Sequence, residues 1–305
     1  MHVDLNHPPM KKTYLLTLLA GLFSLSVSAR DVNNDRRGLH YVSFQAAGGW
    51  YTLFENLPDL RTTGAGATTI GVGYEFRYKD LWFSASLDAQ YFASMATTTG
   101  HIFSQSMYDT QGKQFICHYN IYDDHESLQG ISLGLPLMVG AQFLNGFYLG
   151  AGVHVQLNAM ARAYTKLTYE TSATYSRYIA DFEDMPNHWY QPYNGDGTAT
   201  VKVKPQVNLA FEIGYDIFAK NYGSLSTLHP PILKIAAFAE VGVLNAISNE
   251  GDMARFTVNP DNPMLLDITP YYRAIDTQVN KFIPFFAGIK LTYLLTIPKR
   301  DCRCL

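Results

Sequence analysis

The sequence predicts an all-β fold: a transmembrane, antiparallel, up-and-down β-barrel of eight strands, with ten possible. Three observations carry that expectation. Eight stretches alternate apolar and polar residues with period two. Tight turns alternate with long connections between them. No stretch beyond residue 29 approaches about 18 uninterrupted apolar residues. A membrane protein without such a helix is a closed barrel, because lipid leaves every backbone polar group to be paired internally. Composition agrees. With 14% aromatic and 16% charged residues, 23 Gly and 21 Tyr against 3 Trp, the 305-residue chain excludes disorder and coiled coil. Its net charge of −3 gives no electrostatic footprint for nucleic acid.

The first element is a processing segment. Met10-Lys11-Lys12, an apolar run over residues 14–25 and Ser26-Val27-Ser28-Ala29 form a basic region, a short hydrophobic region and a small-residue cleavage site. Residues 1–29 are therefore expected to be a cleaved signal peptide with an upstream extension. Residues 30–38 then form a periplasmic segment, 39–295 the barrel and 296–305 a periplasmic tail.

The strands follow in order. The first is the weakest, with Val42, Phe44, Ala46 and Trp50 alternating with Ser43, Gln45 and Tyr51. Over residues 70–78 the even positions are Ile70, Val72, Tyr74, Phe76 and Tyr78. From Leu81 to Tyr91 the odd positions are apolar, against Trp82, Ser84, Ser86, Asp88 and Gln90. Residues 131–143 repeat the pattern. Residues 147–161 set apolar odd positions against His154, Gln156 and Asn158, and 201–217 do so around Lys202, Lys204, Glu212 and Asp216. Residues 235–243 and 285–295 complete the set. Such lengths exceed ordinary soluble strands and match an oblique bilayer crossing. Residues 114–122 also alternate and would supply further strands in a ten-stranded count.

Turns at Lys79-Asp80 and Asn145-Gly146 separate connections of tens of residues, the pattern of short periplasmic turns and long extracellular loops. Tyr78, Phe83, Phe143, Phe147, Tyr215 and Tyr293 fall on outward positions beside the short turns, forming one interfacial girdle. With its terminal stretch Phe285-Phe286-Ala287-Gly288-Ile289-Lys290-Leu291-Thr292-Tyr293, the chain resembles the OmpA-like and porin-family small outer-membrane β-barrel proteins of Gram-negative bacteria. The resemblance implies outer-membrane lipid and lipopolysaccharide as surroundings and the barrel-assembly machinery as a partner. Many such proteins end on the assembly-signal aromatic. Here residues 296–305 follow the strand, which places that signal near Tyr293. No peptidoglycan-binding domain follows, so no wall-anchoring role carries over.

Candidate chemistry is sparse: no catalytic, cofactor or metal site is expected. Cys117 is expected outside and Cys302 and Cys304 in the periplasm, so Cys117 is too far from either to pair; Cys302-Arg303-Cys304 reads as a tail without chemistry, with metal binding, a local disulfide or a link to a partner as alternatives. Asp123-Asp124-His125-Glu126 reads as a solvated loop. Inside the barrel, Glu75, Asp88, His154, Glu212, Glu240 and Lys290 point inward by parity at similar heights. Arg77 and Lys234 sit lower, and Lys202 and Lys204 sit nearer the mouth. Eight strands leave room for side chains only, so a polar network closes the interior. Two arrangements stay open: a carboxyl of the layer held protonated, or a balanced network with Arg77 or Lys234 brought level by strand stagger. In the third long loop, Tyr175, Tyr178, Trp189, Tyr190 and Tyr193 are a candidate interaction surface for an extracellular or periplasmic protein. The expected role is structural or surface-interacting and non-catalytic. The alternative is a narrow channel or small-ligand transporter.

Overall fold

A computed structural model describes residues 39–55, 60–98, 100–108, 112–143, 146–175, 192–218, 231–247, 254–259, 262, 265–274 and 282–297. The expected signal peptide, the segment before residue 39, and Cys302 and Cys304 lie outside these. In chain order the strands are β1 (Leu39–Glu55), β2 (Leu60–Thr62), β3 (Ala65–Tyr78), β4 (Leu81–Thr98), β5 (His101–Tyr108), β6 (Gln114–Gln142), β7 (Phe147–Thr174), β8 (Tyr193–Thr200), β9 (Gln206–Phe218), β10 (Ile232–Gly242), β11 (Phe256–Val258), β12 (Leu266–Ile268) and β13 (Phe282–Thr296).

Eight of them, in the order β1-β3-β4-β6-β7-β9-β10-β13, pair antiparallel on both sides, and β13 returns to β1 to close a ring. Paired residues traced once round the ring run Val42, Tyr74, Ala85, Leu137, Val153, Leu209, Val241, Phe285 and Thr52. The path returns to β1 ten residues beyond its start, from Val42 to Thr52. With about 3.3 Å per residue and about 4.8 Å between strands, that stagger tilts the strands by about 40°. The turns between β3 and β4 and between β6 and β7 mark one end. Lys79 (φ 54°) and Gly146 (φ 91°) take the left-handed conformation there.

Burial alternates as the patterns predict, with the polarity of a soluble sheet reversed. Glu75, Asp88, His154, Glu212 and Lys234 face a buried interior, while Ile70, Leu87, Leu133, Ile213 and Ile289 face outward and are exposed. All six aromatics of the expected girdle are exposed near the turn end. Toward the far end, Trp50, Phe54 and Phe285 cluster with ring centroids 5.5–6.5 Å apart. Together these outward residues make a continuous apolar belt. On β4 it runs from Phe83 to Tyr91, about 20 Å along the ring axis at this tilt.

Four expectations need correction. The stretch 201–217 is not one strand: β9 begins at Gln206, because Pro205 has no N–H to donate and stops the ladder. Lys202 and Lys204 consequently face solvent rather than the interior. Ala161 faces inward at 2% exposure, because the β6–β7 register steps from Ile131↔Met160 to Ser132↔Asn158 and β7 carries an extra residue. Residues 114–122 add no strand to the ring; they continue β6, which runs 29 residues.

Beyond the belt, β6 and β7 project with β5 and β8 paired on their outer edges. The small β11–β12 hairpin packs against this extension, and the result is a second core.

Candidate functional site: a charged interior closed by its own connections

Nearest the turns, β3 places Glu75 and Arg77 two residues apart on the inner face. Arg77 donates from Nε to Glu75 Oε1 (2.6 Å) and from Nη1 to Asp216 Oδ2 on β9 (2.6 Å). Lys234 Nζ on β10 donates to Glu75 Oε2 at 3.1 Å. The same ammonium lies 4.0 Å from the Trp82 ring centroid and 4.2 Å from that of Tyr148, so two aromatic faces complete its shell. Trp82 itself lies across Gly140 and Gly150, where any Cβ would overlap its ring.

Further in, His154 bridges two carboxylates: Nδ1 is 2.8 Å from Glu240 Oε2 and Nε2 is 3.3 Å from Asp88 Oδ1. Gly134 makes that crossing feasible, since a side chain there would overlap both Asp88 and His154. Neutral imidazole donates from one nitrogen only, so satisfying both contacts takes one extra proton on this triad. Lys290 pairs with Glu212. A ladder of amides lies alongside, with Gln156 donating to Gln90 Oε1 (2.7 Å) and Asn208 donating to Gln156 Oε1 (3.1 Å). The space left among Asp88, Glu212, Glu240 and Lys290 is a cavity of about 30 Å³, room for a water or two.

All seven sequence-derived interior residues thus lie in the interior, in two tiers rather than one layer. The turn-end tier also takes in Asp216 and Lys234. Strand stagger brings Lys234 to Glu75, so that each carboxylate has a cationic or imidazole neighbour.

Above the polar tiers the interior turns apolar. Tyr51, Leu53, Phe92, Leu128, Phe238 and Phe286 pack with Tyr271 and Tyr272, which enter from the connection between β12 and β13. That connection is clamped at the far end, beyond the apolar belt. Asp123, at φ 57°, forms a bulge in β6 that turns Asp124 and Glu126 inward. Arg255 pairs with Asp124 and reaches Glu126 Oε1 at 3.5 Å. Glu126 Oε1 also accepts from Thr165 Oγ1 and from the Tyr271 N–H, each at 2.7 Å. Burial pushes the Glu126 carboxyl up to about 7, against the opposing pull of Arg255 and these hydrogen bonds. The solvated-loop expectation for 123–126 is therefore half right. Asp123 and His125 are exposed and pair with each other at 2.9 Å, whereas Asp124 and Glu126 are 2% exposed. Alternation alone could not place them, since one bulged residue reverses the parity. The signal available was an Asp, tolerant of positive φ, within an otherwise alternating run.

The candidate loop surface divides. Tyr175 stacks on Phe115 at 5.2 Å and Tyr193 on Tyr169 at 5.7 Å, and both pack against the second core. Tyr178, Trp189 and Tyr190 lie outside the described residues. Cys117 is fully buried in that core.

No family model matches the chain, and no curated protein matches it.

Proposed function

We propose that this chain is an outer-membrane β-barrel, exported by its N-terminal signal, whose role is structural and surface-interacting rather than catalytic. One observation carries the membrane part: an unbroken apolar belt, about 20 Å tall and edged by aromatics, wraps a ring whose inside is charged. Water would leave that belt as an exposed patch far beyond what soluble monomers tolerate. Outer-membrane lipid and lipopolysaccharide would cover it, and the barrel-assembly machinery would insert it, with Tyr293 near its assembly signal.

Closure of the interior supports a non-conducting barrel. Two salt-bridged tiers, an apolar plug and the Arg255 clamp stand in series between the two ends. What remains favours a surface role, because β6 and β7 carry a packed head beyond the belt. A narrow channel keeps one supporting observation, the charged cavity among Asp88, Glu240 and Lys290. Reconstitution separates the two. The purified protein should insert into liposomes, migrate faster on electrophoresis unheated than heated, and give no steady conductance in planar bilayers. Reproducible unitary currents would replace this reading with the channel, and failure to insert would remove both.

A further inference from the structure

The two most exposed large apolar side chains among the described residues are not on the belt. They are Ile102 (71%) and Tyr108 (72%), both on β5. Lipid accounts for the exposure of belt residues and cannot account for these. β5 pairs with residues 114–121 of β6, beyond the Asp123 bulge and ten or more residues past Ile131, where the belt ends on that strand.

β5 is also an edge. Among the described residues it pairs with β6 alone, so every second residue turns its backbone N–H and C=O away from the sheet. Proteins usually guard such edges with Lys, Pro, a bulge or a very short strand. His101–Tyr108 is eight residues long, runs in unbroken register with β6, and contains no Lys, Arg, Asp, Glu or Pro. Its inner face is already occupied: Phe103 stacks between Tyr119 (4.7 Å) and Phe256 (5.9 Å), and Met107 joins the same core.

What identifies the occupant is the order of residues about Gln105. Laid antiparallel on itself, the strand sets Ser104 opposite Ser106, Phe103 opposite Met107 and Ile102 opposite Tyr108. Both exposed apolar groups thereby gain a β-branched–aromatic cross-strand partner, and the core-facing pair continues the second core across the junction. We propose that β5 is a homotypic docking edge, joining two copies of this chain through antiparallel β5–β5 pairing about a twofold axis at Gln105.

The symmetry fixes how the two copies lie. A twofold that relates antiparallel edge strands in one continuous sheet is perpendicular to that sheet. β5 extends a sheet whose strands run on from the ring, so this axis crosses the ring axis and inverts the partner. The pairing therefore joins barrels in two facing membranes, not neighbours in one. Gln105 is level with Cys117, fourteen residues along β6 from Ile131, which is about 35 Å at the tilt of the ring. Two joined belts would stand about 70 Å apart.

This inference rests on the membrane reading and deepens its surface role into membrane-to-membrane adhesion. The test uses the full chain in two populations of liposomes carrying different dyes. Wild-type protein should cross-link them into mixed aggregates. The double variant Ile102→Lys/Tyr108→Lys, which sets like charges opposite each other, should abolish aggregation. Ile102→Lys/Tyr108→Glu, which sets opposite charges in the same register, should restore it. In a Cys117→Ala/Cys302→Ser/Cys304→Ser background, which removes the thiol directly opposite residue 105 on β6, Gln105→Cys should give a disulfide dimer between differently labelled populations, since paired strand residues fall within disulfide range. Flotation and heat-modifiable migration identify any variant that fails to insert. Inserted wild-type protein that leaves liposomes dispersed overturns the proposal. So does aggregation indifferent to the paired lysines, or a Gln105→Cys dimer confined to single liposomes. Failure of the wild-type chain to insert overturns the membrane reading itself, and this proposal with it.

Discussion

The ring and the head share two strands, β6 and β7, which run through both with opposite sidedness. Along the turn-end half of β6, Leu133, Leu135, Leu137 and Val139 face out while Ser132, Gly134 and Pro136 face in. Past the bulge at Asp123, Phe115, Cys117, Tyr119 and Ile121 face in and His118 and Asn120 face out. β7 repeats the inversion about its own extra residue, with His154 and Gln156 inside the ring and Leu167 and Tyr169 inside the head. One pleated strand can serve two surroundings because a single inserted residue reverses which face each later side chain takes. The apolar face lies outside the ring and inside the head.

Substitutions on the two sides of the bulge should therefore have different costs. The largest effect is expected inside the ring. Arg77→Ala strands Asp216 as a buried carboxylate, leaves Glu75 with Lys234 alone and should destabilise the protein by about 3–5 kcal/mol, read from denaturant unfolding in detergent or lipid. A loss below about 1 kcal/mol would mean the turn-end tier is hydrated. Next comes the belt, where Leu133→Arg should cost about 2–4 kcal/mol in a bilayer. Asn120→Arg, outward on the head, should change stability by under about 0.5 kcal/mol. Equal costs at the two positions would erase the distinction.

Leu167→Ala removes a buried side chain from the second core and should loosen the head by about 2–4 kcal/mol. Proteolysis should then cut the distal ends of β6 and β7 while heat-modifiable migration of the ring persists. Loss of both together would show that ring and head fold as one unit.

At the clamp the expected effect depends on pH. The Glu126 carboxyl sits at about 7 in the folded chain, above its ordinary range, so the fold holds a proton the unfolded chain releases. Its contribution to stability is full below about pH 4.5 and is lost as pH rises through about 7, on the order of 3 kcal/mol. Protection of the Tyr271 amide, whose N–H Glu126 accepts, should accordingly fall between pH 5 and 8 once the base-catalysed rise in intrinsic exchange is divided out. Glu126→Gln should flatten that dependence, and an unchanged slope would remove Glu126 as its source.

Much of the ring was legible in the sequence because a strand's period of two is local. Leu133 and Ser132 reveal their faces without reference to any partner, and the six turn-end aromatics align by counting from Lys79-Asp80 and Gly146. The seven interior residues followed from the same parity. What escaped lay past interruptions of that period. Ala161 was assigned outward because the extra residue in β7 is silent in the pattern. Lys202 and Lys204 were assigned inward because alternation carries on across Pro205, although the ladder does not. The distal part of β7 read as loop because its alternation weakens where Tyr, Thr and Ser sit on both faces, whereas residues 114–122 did alternate and read as further strands rather than as the continuation of β6.

The sequence by itself determined which side chains share a face, where the tight turns fall and that the interior is charged, since each depends on neighbours along one strand. Only the tertiary structure decided the stagger of ten residues, and with it which charges meet. Lys234 reaches Glu75 and Arg77 reaches Asp216 because closing the ring tilts every strand, and height along a tilted strand is a property of the whole circuit. The clamp was likewise beyond local reading. Arg255 and Glu126 lie 129 residues apart in the chain, and nothing in either segment names the other until the head folds over the ring.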